Sequence, residues 1–307
     1  MGMDLLQLEQ SVEQQKQEAF DMQQVEDWIN EPNDLDNNFI MLIYGVDGTA
    51  KTGILLDYLH SQKKRTLYLD VDGNAKALFK RFHKEANNYI KLKNPLLTKV
   101  VMKQGLPDVV IDYKATFARI KLAIKYAADH PGMYDALVID GLSTLLDYAA
   151  EQMKMEKNIA ADGTVNLNYW KSRKAKFLDV LEQVRSIEKC DKFFIGHEDF
   201  INIPGTTKVK MGSEIVNLSK TSAPVLKTNR MMDQRVYMEL VLNEITKETE
   251  YTATIHKWRE DGSRVNSVVP FAKAITKEGD RQMIWNHDAV MSIFNGGRVD
   301  DSGSEEE

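Results

Sequence analysis

The 307-residue sequence has one cysteine, Cys190, and seven prolines. A single thiol allows no disulfide framework and no cysteine zinc site within one chain, and it fits a reducing compartment. No apolar run reaches the roughly 18 residues that a membrane-crossing helix needs, so no transmembrane segment is expected. The first residues are acidic and glutamine-rich, unlike a secretory leader. Bases are scarce at both ends. Residues 1–30 hold seven acids against Lys16 alone, a net of −6, and the last eight residues hold five acids and no base, a net of −5. The whole chain is −6, so the 269 residues between the ends carry +5. A mildly basic body with acidic ends does not exclude a polyanionic partner, although the average charge would.

What is present is ordinary globular composition, 43% hydrophobic and 28% charged, enough to bury one large core. Three parts are expected: a helical arm and linker over 1–34, one large domain over 35–298, and an acidic disordered tail over 299–307. In the arm, Leu5, Leu8, Val12, Ala19, Met22 and Ile29 recur at helical spacing, while Gln15 and Glu26 interrupt the seam and argue against a coiled coil. Glu31-Pro32-Asn33-Asp34 reads as a linker.

The body alternates strand and helix. Strands are expected at Phe39–Tyr44, Thr66–Leu69, Val100–Met102, Ala136–Ile139 and Lys192–Gly196. Helices are expected at Lys51–His60, Ala75–Asn88, Ala115–Ala128, Leu142–Met155 and Lys171–Ile187. Arg235–Asn243 and Thr249–Trp258 read as an antiparallel pair around Glu244–Glu248. The pattern predicts an α/β fold with a mostly parallel sheet covered by helices on both faces.

Gly45-Val46-Asp47-Gly48-Thr49-Ala50-Lys51-Thr52 follows the first strand and opens a helix. It fits the phosphate-binding loop except that Ala50 stands where a second glycine is usual. Gly45 and Gly48 let the backbone N–H groups curl around phosphate oxygens, and the helix N-terminus adds positive potential. Lys51 would reach the β- and γ-phosphates, and the Thr52 hydroxyl would ligate magnesium. A methyl at position 50 costs strain unless its dihedrals stay in the right-handed helical region. Asp140 ends the apolar run Ala136–Ile139, where an acid supports the magnesium site. Position 141 is glycine, so no glutamate base sits beside it. Asp70 and Asp72 share one side of the Thr66–Leu69 strand end, and Asp72 could orient and deprotonate a water.

This order of motifs resembles the RecA-like P-loop ATPases, over about Phe39 to Pro270, and within them the phage-encoded ATP-binding proteins of recombination and single-strand annealing. The resemblance implies a RecA-like core using ATP and Mg2+, with Asp72 as general base and His197 as γ-phosphate sensor. It implies Phe79 as the adenine-stacking aromatic. It also implies Lys257 and Arg259 as a pair of cations, one residue apart on a late strand, that enter a neighbouring subunit's site. By position, two DNA-gripping loops would lie at about Met153–Asn168, with Lys154 and Lys157, and at Glu198–Asn217, with Phe200, Lys208 and Lys210. Lys171, Arg173, Lys174 and Lys176 could add phosphate contacts or form a solvated face. The implied partners are single-stranded DNA, further copies of the chain in a ring or filament, and a single-strand-binding protein. The implied place is the cytoplasm, that of the bacterial host if phage-encoded. Two other readings stay open: an AAA+ remodeller, helicase loader or packaging-type motor, and a non-catalytic ATP-binding switch.

Overall fold

The computed structural model describes residues 38–82, 84–160, 163, 165–166, 168–202, 209–212, 231–242, 248–258, 262–277 and 280–295, together with Met22. The chain separates into two units, Met1–Asn37 and Asn38–Glu307. Of the first, only Met22 is described, helical and exposed. The predicted arm helix and acidic tail therefore lie outside the described residues.

The second unit is built on a nine-stranded sheet. Its strands are β1 (Ile40–Gly45), β2 (Thr66–Asp70), β3 (Ile90–Lys93), β6 (Ala136–Asp140), β7 (Asp191–His197), β10 (Gln234–Leu242), β11 (Thr249–Trp258), β12 (Val268–Lys277) and β13 (Asp280–Trp285). Their order is β13-β12-β11-β10-β1-β7-β6-β2-β3. From β10 to β3 every pairing is parallel; from β10 to β13 every pairing is antiparallel. Two hairpins lie outside the sheet: β4 (Thr98–Lys103) with β5 (Leu106–Ile111), and β8 (Asp199–Asn202) with β9 (Val209–Gly212). The helices are α1 (Lys51–Ser61), α2 (Ala75–Phe82), α3 (Tyr113–Asp129), α4 (Leu142–Glu156), α5 (Trp170–Arg185) and α6 (His287–Asn295).

All six residues of β1 are buried, as a central parallel strand requires. Side-chain alternation divides them between two cores. Ile40, Leu42 and Tyr44 join Leu137, Ile139, Phe194 and residues of α3, α4 and α5, among them Ile120, Leu145 and Phe177. Met41 and Ile43 join Tyr68, Val138, Phe193 and residues of α1, α2 and α6, among them Leu55, Phe79 and Phe294. A fully buried ring such as Phe193 contributes about 2–3 kcal/mol. Cys190 is 2% exposed, and burial pushes its thiol up to about 12. Among the described residues no helix is long and apolar enough to cross a membrane.

The expected helix Ala75–Asn88 breaks into α2 and a 3-10 turn, Lys84–Asn88. Asn87 and Asn88 are poor helix formers, and the Asn87 amide bonds instead to the Lys84 carbonyl at 2.9 Å. The expected strand at Val100–Met102 is the middle of β4, turned into β5 through Gln104 and Gly105 at φ 52 and 81. Positive φ at both central residues is the hairpin turn that matches strand twist. Pro107 hides β5 from a sequence reading, since proline is confined to edges and irregular pairs.

Candidate active site

The strand order places four parallel carboxyl ends side by side. β7 lies between β1 and β6, and β2 lies beyond β6. Gly45 therefore pairs with His197, and Asp140 pairs with Asp70. Ligands of open parallel sheets bind outside these ends.

The loop after β1 is held by contacts that specify its residues. Gly45 has φ 151, and a Cβ there would lie 2.2 Å from the Met238 carbonyl oxygen of β10, so no side chain fits. Thr49, fully buried, donates its hydroxyl to the Val46 carbonyl at 2.8 Å. Ala50 has φ 64 and ψ 20, left-handed values just before α1. The strain expected of a methyl outside the right-handed region is thus present. Lys51 is 4% exposed and donates to the carbonyls of Gly45 at 2.9 Å and Val46 at 2.6 Å. Burial lowers its ammonium to about 8, against the pull of Asp47, Asp140 and Asp72.

Thr52 and Asp140 meet across the sheet. The Thr52 hydroxyl donates to Asp140 Oδ2 at 2.9 Å, and the Tyr68 hydroxyl donates to the same oxygen at 2.7 Å. Burial raises the Asp140 carboxyl to about 6, although both hydrogen bonds work the other way. Sequence reading did not find Tyr68. The signal was a tyrosine inside a buried strand, whose hydroxyl must find a partner.

Asp70 and Asp72 part company. Asp70 is buried beneath the start of α2, where burial raises its carboxyl against the nearby backbone N–H groups of Ala75, Lys76 and Gly73. Asp72 faces the site. Its Oδ2 lies 2.7 Å from His197 Nε2. Burial pushes the Asp72 carboxyl up, but the hydrogen bonds from His197 and Thr144 and the charges of His197 and Lys51 hold it below the usual range. The Asp72 hydrogen bond raises His197 against burial and Lys51. His197 Nδ1 lies 2.6 Å from Asp47 Oδ1 of the loop, an ion-pair contact without hydrogen-bond alignment. The His197 backbone N–H donates to Ser143 Oγ at 2.9 Å, and that hydroxyl donates back to the His197 carbonyl. Asp72, Asp140 and His197 present donor atoms within 4.8 Å of one another.

Other expectations fall elsewhere. Phe79 is 4% exposed in the α1–α2 core, so its ring face is not open to a base. Lys257 pairs with Arg235 on β10 and donates to the Met232 carbonyl. It therefore sits at the amino ends of the parallel strands, opposite the phosphate loop. Arg259 and Lys208 lie outside the described residues. Phe200 and Lys210 are strand residues of the β8–β9 hairpin. Lys154 is paired with Glu151 at 2.7 Å, and Lys157 lies over the Tyr169 ring at 5.5 Å. At the start of α5, Arg173 is nearly buried against the Leu146 carbonyl and the Trp170 ring and Lys176 is paired with Glu156, while Lys171 is exposed.

Residues 37–265 match the family described as an AAA domain. No curated protein matches the chain. Among solved structures, a KaiC-like protein from the hyperthermophilic archaeon Pyrococcus horikoshii OT3 is similar at 13% identity and a TM-score of 0.42, over 80% of this chain and 89% of that one.

Proposed function

The chain belongs to this AAA-domain family of P-loop proteins, and on that premise we propose that it hydrolyses ATP with magnesium at a RecA-like site. The observation that carries the reading is the Thr52–Asp140 hydrogen bond beside the Gly45–Thr52 loop. A hydroxyl and a carboxylate brought together from α1 and β6 form a hard-oxygen donor pair suited to Mg2+. When bound, the ion neutralises charge on the β- and γ-phosphate oxygens. Lys51 leaves the carbonyls of Gly45 and Val46 for the phosphates. Asp72, held ionised by His197, orients the attacking water and accepts its proton. His197 bridges Asp72 and Asp47, so its hydrogen bonding follows the state of the loop.

The finer reading adds an oligomer and DNA. Lys257 lies at the opposite end of the sheet from Lys51, so it serves catalysis only across a contact with another copy, as does Arg259 in the same reading. The +5 body supports single-stranded DNA as the polyanion, held at the segments after α4 and β7. Gly141 supports a RecA-like site over an AAA+ remodeller, because the base comes from β2 and not from beside Asp140.

A steady-state ATPase assay tests the catalytic reading. Asp72→Asn should lose at least about 100-fold in turnover while keeping ATP affinity. An unchanged rate would remove Asp72 as the base, and no turnover in the parent chain would leave only a binding switch. Salt-sensitive binding to a single-stranded oligonucleotide, with assembly in ATP and magnesium, tests the finer one.

A further inference from the structure

A cavity of about 510 Å3 opens at the amino ends of β1 and β7, far from the phosphate loop along the strands. Its lining is mostly polar and comprises Asn38, Ile40, Arg185, Lys192, Met231, Asp233 and Lys257. That volume suits a small ligand. Three cations face one carboxylate.

Lys192 is the unusual member. It pairs with Ile40 in the sheet and is 6% exposed. Among the described residues its Nζ has no hydrogen bond and no ion pair. The neighbouring acid is engaged elsewhere: Asp191 is bridged to Lys64 at 2.7 Å. Asp233 accepts the Ile40 N–H at 3.1 Å. Burial lowers the Lys192 ammonium against the attraction of Asp191 and Asp233. On the same face, Arg235 keeps a buried Nε with no partner among the described residues. Three cations around the one carboxylate of Asp233 leave the cavity with an excess of positive charge, which costs stability. A ligand anion would offset that cost.

We propose that this cavity is a second phosphate site, in which Lys192, Arg185 and Lys257 hold a phosphate group of a di- or triphosphate. Arg185 sits at the end of α5, in an exposed pair with Glu182 at 3.4 Å, and can turn its guanidinium onto two phosphate oxygens. Lys257 adds charge while keeping its bond to Met232. The phosphate has two sources with the same chemistry: a free nucleotide or pyrophosphate, or the triphosphate held in the loop of another copy. The second source alone rests on the oligomeric reading above.

Calorimetry with inorganic pyrophosphate on the full chain carrying Lys51→Ala isolates this cavity from the phosphate loop. Binding that weakens with salt and falls at least tenfold on adding Lys192→Met identifies a free-anion site. Turnover of Lys192→Met with an intact loop tests the other source. Normal ATP affinity, a tenfold lower rate, and recovery on mixing with the Lys51→Ala chain identify a neighbour's triphosphate. The mixing works because each variant supplies what the other lacks. Lys192→Met should melt no lower than the parent, since it removes a charge that its largely buried position disfavours. No pyrophosphate binding together with an unaltered rate, a rate not recovered by mixing, or a melting temperature lowered by several degrees would overturn the proposal.

Discussion

The carboxylate of Asp72 fills the volume that a side chain at Gly141 would need. A Cβ at 141 would lie 2.3 Å from Asp72 Oδ1 and 2.9 Å from the Asp72 backbone nitrogen, and the Gly141 backbone itself is left-handed at φ 100. The glycine after Asp140 and the acid after β2 are therefore one arrangement. The position beside Asp140 carries no side chain, and the Asp72 carboxylate occupies its place.

Gly141→Ala should move Asp72 by more than an ångström. Turnover is expected to fall roughly 100-fold, as misplacement of a reacting group does, while ATP affinity stays near the parent value. The backbone strain should lower stability by about 1–3 kcal/mol. Nucleotide titration, steady-state rates and urea unfolding on the same preparation separate the three effects.

Ala50→Gly should stabilise the chain. A left-handed alanine costs about 1–2 kcal/mol, and the extra freedom that glycine gives the unfolded chain offsets about half of that. A net gain of about 0.5–1 kcal/mol in urea unfolding is expected, with ATP affinity retained. A loss would place the strain elsewhere.

Nucleotide binding should take up a proton in mild alkali. Lys51 titrates near 8 in the free loop because it is buried, and phosphate oxygens favour its charged form. Above pH 8 the free protein loses that proton and the bound form regains it. Affinity should fall by up to about tenfold per pH unit between pH 8 and 10. Calorimetry at pH 9 in buffers of different ionisation heat should report an uptake approaching one proton.

Asp140→Asn should trade activity for stability. The folded carboxyl is raised to about 6 from an unfolded value of 3.8. Folding therefore favours its protonated form, and ionisation costs stability as pH rises through that window. The penalty is absent below about pH 3.8 and complete above about pH 6, at most about 3 kcal/mol. The variant should exceed the parent in urea unfolding at pH 8, with little difference near pH 4. It should lose turnover, and magnesium should no longer stabilise it.

The phosphate loop, Asp140, Asp72 and His197 were legible because each occupies the end of a buried strand, and buried strands show as short apolar runs. Phe79 was misplaced because an aromatic on an amphipathic helix gives the same signal whether it meets a base or the core. Asp70 looked equivalent to Asp72 along the strand. The structure separates them by burying Asp70 beneath the start of α2 and turning Asp72 onto His197, which no side-chain pattern reveals. The strands β12 and β13 and the hairpin β8–β9 were missed for another reason. β12 and β13 take their partners from the sheet rather than from local alternation, and β8 and β9 pair only with each other outside it. The cationic cavity was invisible because Arg185, Lys192 and Lys257 come from three separate elements.

The lone thiol has a practical consequence. Cys190 is buried and its proton is held to about pH 12, while alkylating reagents attack the thiolate of accessible cysteines. The parent chain should therefore be silent toward maleimides at neutral pH. A cysteine introduced at an exposed position, such as Val109→Cys on the β4–β5 hairpin, where Val109 is 67% exposed, would be its only reactive handle. Fluorophores or spin labels can then be attached one site at a time without first rebuilding the core, and distances between labelled copies become a direct ruler of assembly.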